Sequence, residues 1–79
     1  MPKASVTLND FIAKRLRDAR ADAGLSQTKA AELLHCDRST LAKKESGDRP
    51  VYASELIEFS KLYRQPVDYF LPREGAITV

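Results

Sequence analysis

Residues 37–50, DRSTLAKKESGDRP, carry polar side chains that one α-helix would gather on a single face. At about 100° per residue, four of them and one alanine fall within an arc of about 140°. These are Arg38, Ser39, Ala42, Lys43 and Ser46. They offer a guanidinium, an ammonium, two hydroxyls and a methyl group. Such groups fit the base edges and phosphates of the DNA major groove, so the pattern indicates recognition of a polyanion.

The opposite side of this predicted helix carries Thr40, Leu41 and Lys44. Leu41 is the one large apolar residue of the segment, so we expect it to hold the helix against the rest of the domain. An exposed helix without any binding role has a similar composition. The elements that precede and follow it therefore decide between the two interpretations.

Three more helices and a short fifth one are predicted around this segment. Thr7 and Asp10 form a capping box ahead of the first helix, which Gly24 ends. Ser26 caps a second helix over 27–34, in which Ala30 and Ala31 allow another helix to approach closely.

The third helix covers 38–46, with Asp37 as its N-cap and Gly47 at its end. A fourth helix runs from 53 or 54 to 64, and a short fifth one begins at Pro66. No segment alternates with period two, so we predict an all-α domain of five short helices. Its predicted parts are an N-terminal arm (1–8), a DNA-binding domain (9–72) and a C-terminal tail (73–79).

The composition excludes several classes of protein. The chain has 79 residues, which suits one small domain, and its net charge of +2 favours an acidic partner only weakly. Cys36 is its one cysteine, which excludes an internal disulfide and a multi-cysteine zinc site. Apolar runs reach three residues, too few for a membrane span or a secretory signal. We therefore expect a cytoplasmic protein without a membrane partner.

The stretch GLSQTKAAELLHCDRSTLAKKESGDRP resembles the helix-turn-helix of the phage repressor and Cro (XRE-like) family of DNA-binding proteins. The matching positions include Leu25-Ser26-Gln27, Ala31 and Glu45-Ser46-Gly47. The segment FSKLYRQPVDYFL, 59–71, is similar to the closing segment of that family. The resemblance covers about residues 9–71 and implies a lambda-repressor-like fold of five helices.

The resemblance also implies roles for single residues. Gln27, at the start of the second helix, would meet a phosphate through its side chain and its backbone N–H. Residues at base edges or the nearby backbone would be Arg38, Ser39 and Lys43. Phosphate contacts are common in the family at the positions of Thr28, Lys29, Thr40 and Arg49.

A salt bridge between the first and third helices is implied as well, by Arg20 and Glu45. Three residues depart from the family pattern. His35 stands where the turn normally has glycine and must adopt a positive φ. Lys44 replaces an apolar residue, so we expect its stem along the core and its ammonium in water or at a phosphate. Asp37 would repel DNA unless its carboxylate caps the third helix.

Other polar and aromatic residues favour no catalytic or metal site. His35 and Cys36 are neighbours, but no second His or Cys completes a ligand set. Cys36 occupies an aliphatic position of the family and is expected to be a small core residue. Tyr63, Tyr69 and Phe70 suit packing better than a cofactor site. We expect neither an enzyme nor a bound cofactor or metal.

The resemblance implies a homodimer on double-stranded DNA, because family members usually place two recognition helices in successive major-groove turns. The predicted dimer surface is Val67, Tyr69, Phe70 and Leu71, with the tail residues 76–79 as an extension. The implied function is a sequence-specific transcriptional regulator, a repressor on a pseudo-palindromic operator. Three alternatives stay open: an antitoxin with a protein partner, a controller of a restriction system, and a protein-interaction module that has lost DNA binding.

Overall fold

The computed structural model describes residues 7–72; most of the predicted arm, 1–6, and the tail, 73–79, lie outside them. The described part contains four α-helices and one 3₁₀ turn. These are α1 (Leu8–Asp22), α2 (Gln27–Leu33), α3 (Arg38–Ser46), α4 (Ala53–Tyr63) and the 3₁₀ turn (Val67–Phe70). No strand occurs between residues 7 and 72, so the predicted all-α class is confirmed.

α1 begins as its sequence predicts. The Thr7 hydroxyl accepts the backbone N–H of Asp10 at 3.1 Å, and the Asp10 carboxylate accepts that of Thr7 at 3.4 Å. The two bonds satisfy backbone donors that the first helical turn leaves free. Leu8 is already helical, so the predicted arm of residues 1–8 extends too far into the chain. Gly24 follows the helix with φ = 72°, as expected of a glycine just past a helix end.

The predicted count of five helices is not confirmed, because the last element is not an α-helix. Residues 67–70 form a single 3₁₀ turn, closed by bonds from Tyr69 N–H to the Pro66 carbonyl and from Leu71 N–H to the Asp68 carbonyl. The segment lies between two prolines. Pro72 pushes the preceding Leu71 into extended backbone, with φ = −108° and ψ = 142°. Too few residues remain for an α-helical turn to propagate.

The core lies where all four helices and the 3₁₀ turn meet. α1 contributes Ile12 and Leu16, α4 contributes Phe59, and the 3₁₀ turn inserts Phe70, which is fully buried. Leu41 is the residue with which α3 enters this core, at 0% exposure. α3 is thus fastened at its middle, which leaves its other side directed away from the protein.

No helix within residues 7–72 combines the length and the apolar composition that a membrane span needs.

Candidate nucleic-acid interface

The turn between α2 and α3 is tight, as the two alanines of α2 predict. Ala30 and Ala31 are buried at 0% and 2% exposure, so α3 packs close to the α2 backbone. The Cys36 N–H donates to the Ala31 carbonyl at 3.0 Å and closes the turn. His35 adopts φ = 58°, which confirms the left-handed conformation expected where the family has glycine. This turn fixes the angle at which α3 leaves α2.

α3 divides into two faces along its nine residues. Leu41, Lys44 and Glu45 are buried, on the side that packs against α1 and α2 and contacts α4 through Lys44. We call the other side the outward face: it consists of the five residues whose common arc the sequence predicted. Four of these are exposed and Ala42 is half-buried; the set is Arg38, Ser39, Ala42, Lys43 and Ser46. The predicted orientation of α3 is therefore confirmed.

The end of α3 is held by α1. Gly47 has φ = 86°, and a Cβ there would lie 2.8 Å from an Asp10 carboxylate oxygen. The position therefore needs glycine for its backbone conformation, and a side chain there would also displace the Asp10 carboxylate. Arg17 donates a hydrogen bond to the Glu45 carbonyl, one of the last carbonyls of the helix. Sequence reasoning missed Arg17, because only the packing of α1 on α3 brings the two together.

The predicted Arg20–Glu45 salt bridge is present and bidentate. Arg20 Nε lies 2.8 Å from Glu45 Oε2, and a second guanidinium nitrogen lies 3.1 Å from Oε1. The Glu45 side chain is only 3% exposed and that of Arg20 21%. Hydrogen bonding to Glu45 outweighs the desolvation of the guanidinium and raises the pKa of Arg20. Arg20 also donates to the Leu25 carbonyl at 3.0 Å, so the bridge ties α1 to the start of α2 as well.

Gln27 connects this salt bridge to the outward face. Its Nε2 donates to Glu45 Oε1 at 3.1 Å, and its Oε1 accepts a hydrogen bond from Arg38 at 3.1 Å. The amide orientation is thereby determined at both ends. One of the two side-chain N–H groups predicted to meet a phosphate already has a partner, whereas the backbone N–H lies in the first turn of α2, where the helix itself supplies none.

Two residues that depart from the family pattern behave differently from the expectation. The Lys44 ammonium, expected in water or at a phosphate, instead forms a salt bridge with Glu55 of α4. Burial alone would raise the pKa of Glu55, but the bonds from Lys44 and the Tyr52 N–H lower it overall. Asp37 stands at the N-cap of α3, yet its carboxylate caps no backbone N–H.

The predicted phosphate-contacting residues lie at two ends of this surface. Thr28 and Lys29 are exposed in the first turn of α2, next to the start of α3. Arg49 is exposed beyond the end of α3, where its backbone N–H donates to the Lys43 carbonyl at 3.2 Å. Thr40 is half-buried and thus the least accessible of them.

The predicted dimer surface loses one member. Phe70 is fully buried, because the 3₁₀ turn directs its ring into the core, so it offers no surface to a partner. Leu71 is 40% exposed, and Val67 and Tyr69 are half-buried against the core. The Arg15 guanidinium lies 4.8 Å from the centre of the Tyr69 ring, a cation–π contact that joins the 3₁₀ turn to α1.

The remaining polar groups of the described residues form no metal site. No cluster of three or more His, Cys, Asp or Glu side chains that could hold a metal occurs in residues 7–72. Cys36 is a free thiol, half-buried against the core as expected, and borders a cavity of about 110 Å³. Tyr63 is buried, and its hydroxyl lacks a hydrogen-bond partner among the described residues. Burial and the nearby Glu45 carboxylate raise the pKa of this phenol.

Known proteins are similar to this chain in sequence and in fold. The helix-turn-helix domain family matches residues 12–69. The HTH-type transcriptional regulator ImmR of Bacillus subtilis is 35% identical over 63 residues, which are 80% of this chain and 50% of ImmR. The chain thus spans about half the length of that relative.

Two solved structures have similar folds. The restriction-modification controller protein C.AhdI from Aeromonas hydrophila is 27% identical, with a TM-score of 0.73 over 80% of this chain and 96% of that one. The DNA-binding domain of S. venezulae BldD is 28% identical, with a TM-score of 0.73 over 82% of this chain and 97% of that one. With the matched family profile, these findings assign the fold: the chain belongs to the helix-turn-helix family of the phage repressor and Cro (XRE-like) type.

Proposed function

We propose that this chain is a sequence-specific DNA-binding transcriptional regulator that inserts α3 into the major groove. One observation carries the proposal: the outward face of α3 is exposed while Leu41 fastens the opposite side to the core. A helix held in this way can enter a groove without disturbing the domain that carries it. ImmR is a transcriptional regulator by name, and the BldD domain is described as DNA-binding, which supports the same function.

The proposed contacts divide into two kinds. Arg38, Ser39 and Lys43 would face base edges, where an arginine recognises the O6 and N7 of guanine and hydroxyls accept several partners. The phosphate contacts would come from the start of α2, the flank of α3 and the loop after it: the Gln27 backbone N–H, Thr28, Lys29, Thr40 and Arg49. They position the domain without reading sequence.

Gln27 would act mainly on Arg38. Its amide is held by Glu45 and accepts the Arg38 guanidinium, so it limits the directions in which that guanidinium can point. An arginine with a fixed orientation pays less entropy when it forms a bidentate bond to guanine. The side chain of Gln27 is therefore proposed as a positioning group and its backbone as the phosphate contact.

A homodimeric repressor is the form in which we propose that the domain acts. One α3 reads only a few base pairs, and two copies about 34 Å apart would read a pseudo-palindrome. Val67, Tyr69 and Leu71 form the proposed contact, without Phe70. Such a regulator performs no reaction and needs no cofactor, and it would work in the cytoplasm, where the DNA of a bacterial-type cell lies.

The proposed function is tested by selecting bound sites from a random pool of DNA duplexes and then measuring the affinity of the protein for the selected site. Arg38→Ala should then lose about 1–3 kcal/mol on the selected site and much less on random DNA. Lys61→Ala, which removes one exposed positive charge from α4, is the matched control and should leave the discrimination unchanged. Wild-type binding should weaken steeply with salt.

Two results would count against this assignment. An equal loss for Arg38→Ala on selected and random DNA would make Arg38 a phosphate contact. If the wild-type domain shifts no duplex even at low salt, the chain is not a DNA-binding protein, and the protein-interaction module becomes the better description.

A restriction-system controller is a second candidate for the same DNA-binding activity. The observation that favours it is the likeness to C.AhdI, a controller protein, over nearly that whole chain. Mapping the selected sites onto the source genome tests the idea. Sites in front of a restriction endonuclease gene would support it, whereas sites elsewhere would leave a general regulator.

A further inference from the structure

The Asp37 carboxylate lies at the start of α3 and interacts with no other polar group among residues 7–72. The N-cap side chains of α1 and α2, Thr7 and Ser26, accept backbone N–H groups at 3.1 and 3.0 Å. Asp37 occupies the same position on α3 with its side chain exposed. Among residues 7–72 it has neither a side-chain hydrogen bond nor an ion pair, and Arg38 beside it bonds to Gln27 instead.

A free negative charge at this place opposes DNA binding unless it meets a donor. Phosphates repel a carboxylate, and the acceptors of the major groove, guanine O6 and N7 and thymine O4, do so locally as well. The donors in that groove are the amino groups of cytosine and adenine. Carboxylate side chains pair with the N4 amino group of cytosine. The amino group of adenine suits a carboxylate less well, because the acceptor N7 lies beside it.

The position of Asp37 suits contact with a base. Recognition helices contact base edges with their N-terminal residues, and Asp37 immediately precedes the first residue of α3. Asp37 and Arg38 are consecutive residues whose Cα atoms are about 3.8 Å apart. The candidate partner of Asp37 is therefore the base pair that Arg38 contacts or the one next to it.

We propose that Asp37 is a specificity-determining residue whose carboxylate accepts a hydrogen bond from the amino group of a cytosine in the major groove. The proposal rests on the DNA-binding function proposed above and names a reader that the family resemblance did not. It acts in two ways. The carboxylate binds the cytosine, and it rejects guanine and thymine at the same position through repulsion between acceptors.

The experiment is parallel site selection with wild-type protein, Asp37→Ser and Asp37→Asn. Serine and asparagine are both good N-caps, so the two variants should keep α3 folded. The matched control is Glu58→Gln on α4, which removes one exposed negative charge. Glu58 and Lys44 line the same cavity, so this charge lies away from the outward face of α3. Thermal unfolding of each variant confirms that it is folded before selection.

The wild-type protein should prefer cytosine at one position of each half-site by about tenfold over the other bases. Asp37→Ser should reduce that preference to about twofold or less and leave the other positions unchanged. Asp37→Asn should move it toward adenine, which asparagine recognises through N6 and N7. Glu58→Gln should select the wild-type sequence.

Two outcomes overturn the proposal, and they are distinguishable. If wild type selects a clear sequence that Asp37→Ser selects unchanged, with all sites bound more tightly by one common factor, Asp37 only repels phosphates and the DNA-binding function stands. If wild type selects no sequence at all, the proposed function is wrong, and the assignment of Asp37 is wrong with it.

Discussion

The inward side and the outward face of α3 carry similar polar groups, but these groups have different surroundings. On the inward side, the Glu45 carboxylate accepts bonds from Arg20 and Gln27, and the Lys44 ammonium pairs with Glu55. On the outward face, the side chains of Ser39 and Lys43 have no partner within residues 7–72. Adjacent lysines of one helix thus have opposite uses: one holds the fold, and the other is available to a partner.

The largest effect that separates the two sides is expected from Glu45→Ala. It leaves the Arg20 guanidinium and the Gln27 amide without their acceptor in a largely buried place. We expect a loss of about 3 kcal/mol in the free energy of unfolding. Urea denaturation measures it, and Lys43→Ala, two residues away on the exposed side, should change stability by less than about 0.5 kcal/mol.

A double-mutant cycle shows whether the loss comes from the pair itself. Arg20→Ala combined with Glu45→Ala should cost less than the sum of the two single changes, because each single change already breaks the same bridge. Additive losses would mean that Arg20 and Glu45 stabilise the fold independently. Similar losses for Glu45→Ala and Lys43→Ala would remove the distinction between the two sides altogether.

The outward face could be predicted from the sequence because it depends on a single helix. Asp37 and Gly47 bound that helix, Leu41 identifies its inner side, and the period of 3.6 residues places the rest. Likewise, the capping box of Thr7 and Asp10 depends on four consecutive residues. Local rules were sufficient for these features, since no distant part of the chain changes them.

The inward side was predicted only where the family resemblance supplied the partner. Arg20 and Glu45 are 25 residues apart, and only the resemblance suggested their contact. Lys44 and Glu55 had no such guide, because their contact depends on how α4 packs against α3. Phe70 was misassigned for the same reason: whether an aromatic residue faces the core or a partner depends on how the 3₁₀ turn docks on α1 and α4.

A smaller effect is expected from Tyr63→Phe on α4, which tests an exception to the pairing of buried polar groups near Glu45. Tyr63 is 3% exposed, and its hydroxyl is buried without a partner among the described residues. Because an unsatisfied buried hydroxyl is unfavourable, its removal should stabilise the domain by about 1 kcal/mol. Tyr69→Phe, at a half-buried tyrosine, is the control and should stay within about 0.5 kcal/mol of wild type. A loss of stability in Tyr63→Phe would show that the hydroxyl has a hydrogen-bond partner, and Tyr63 would then be no exception to the pairing of buried polar groups.

The smallest effect is expected from the pair of Lys44 and Glu55, since the Glu55 side chain is 29% exposed. The pKa of Glu55 lies below its ordinary value of 4.5 in the folded chain, so the unfolded chain takes up the proton first as the pH falls. The pair therefore stabilises the fold above about pH 4.5 and loses its contribution, less than about 1 kcal/mol, as the pH drops through the folded-state pKa.

Urea titrations at several pH values should show that the stability difference between wild type and Glu55→Gln shrinks in acid. Glu58→Gln, an exposed carboxylate without an ion pair, should differ little from wild type at any pH. If the stability difference between wild type and Glu55→Gln stays constant with pH, Lys44 is buried without an effective counter-charge. Lys43 and Lys44 would then differ in burial but not in pairing.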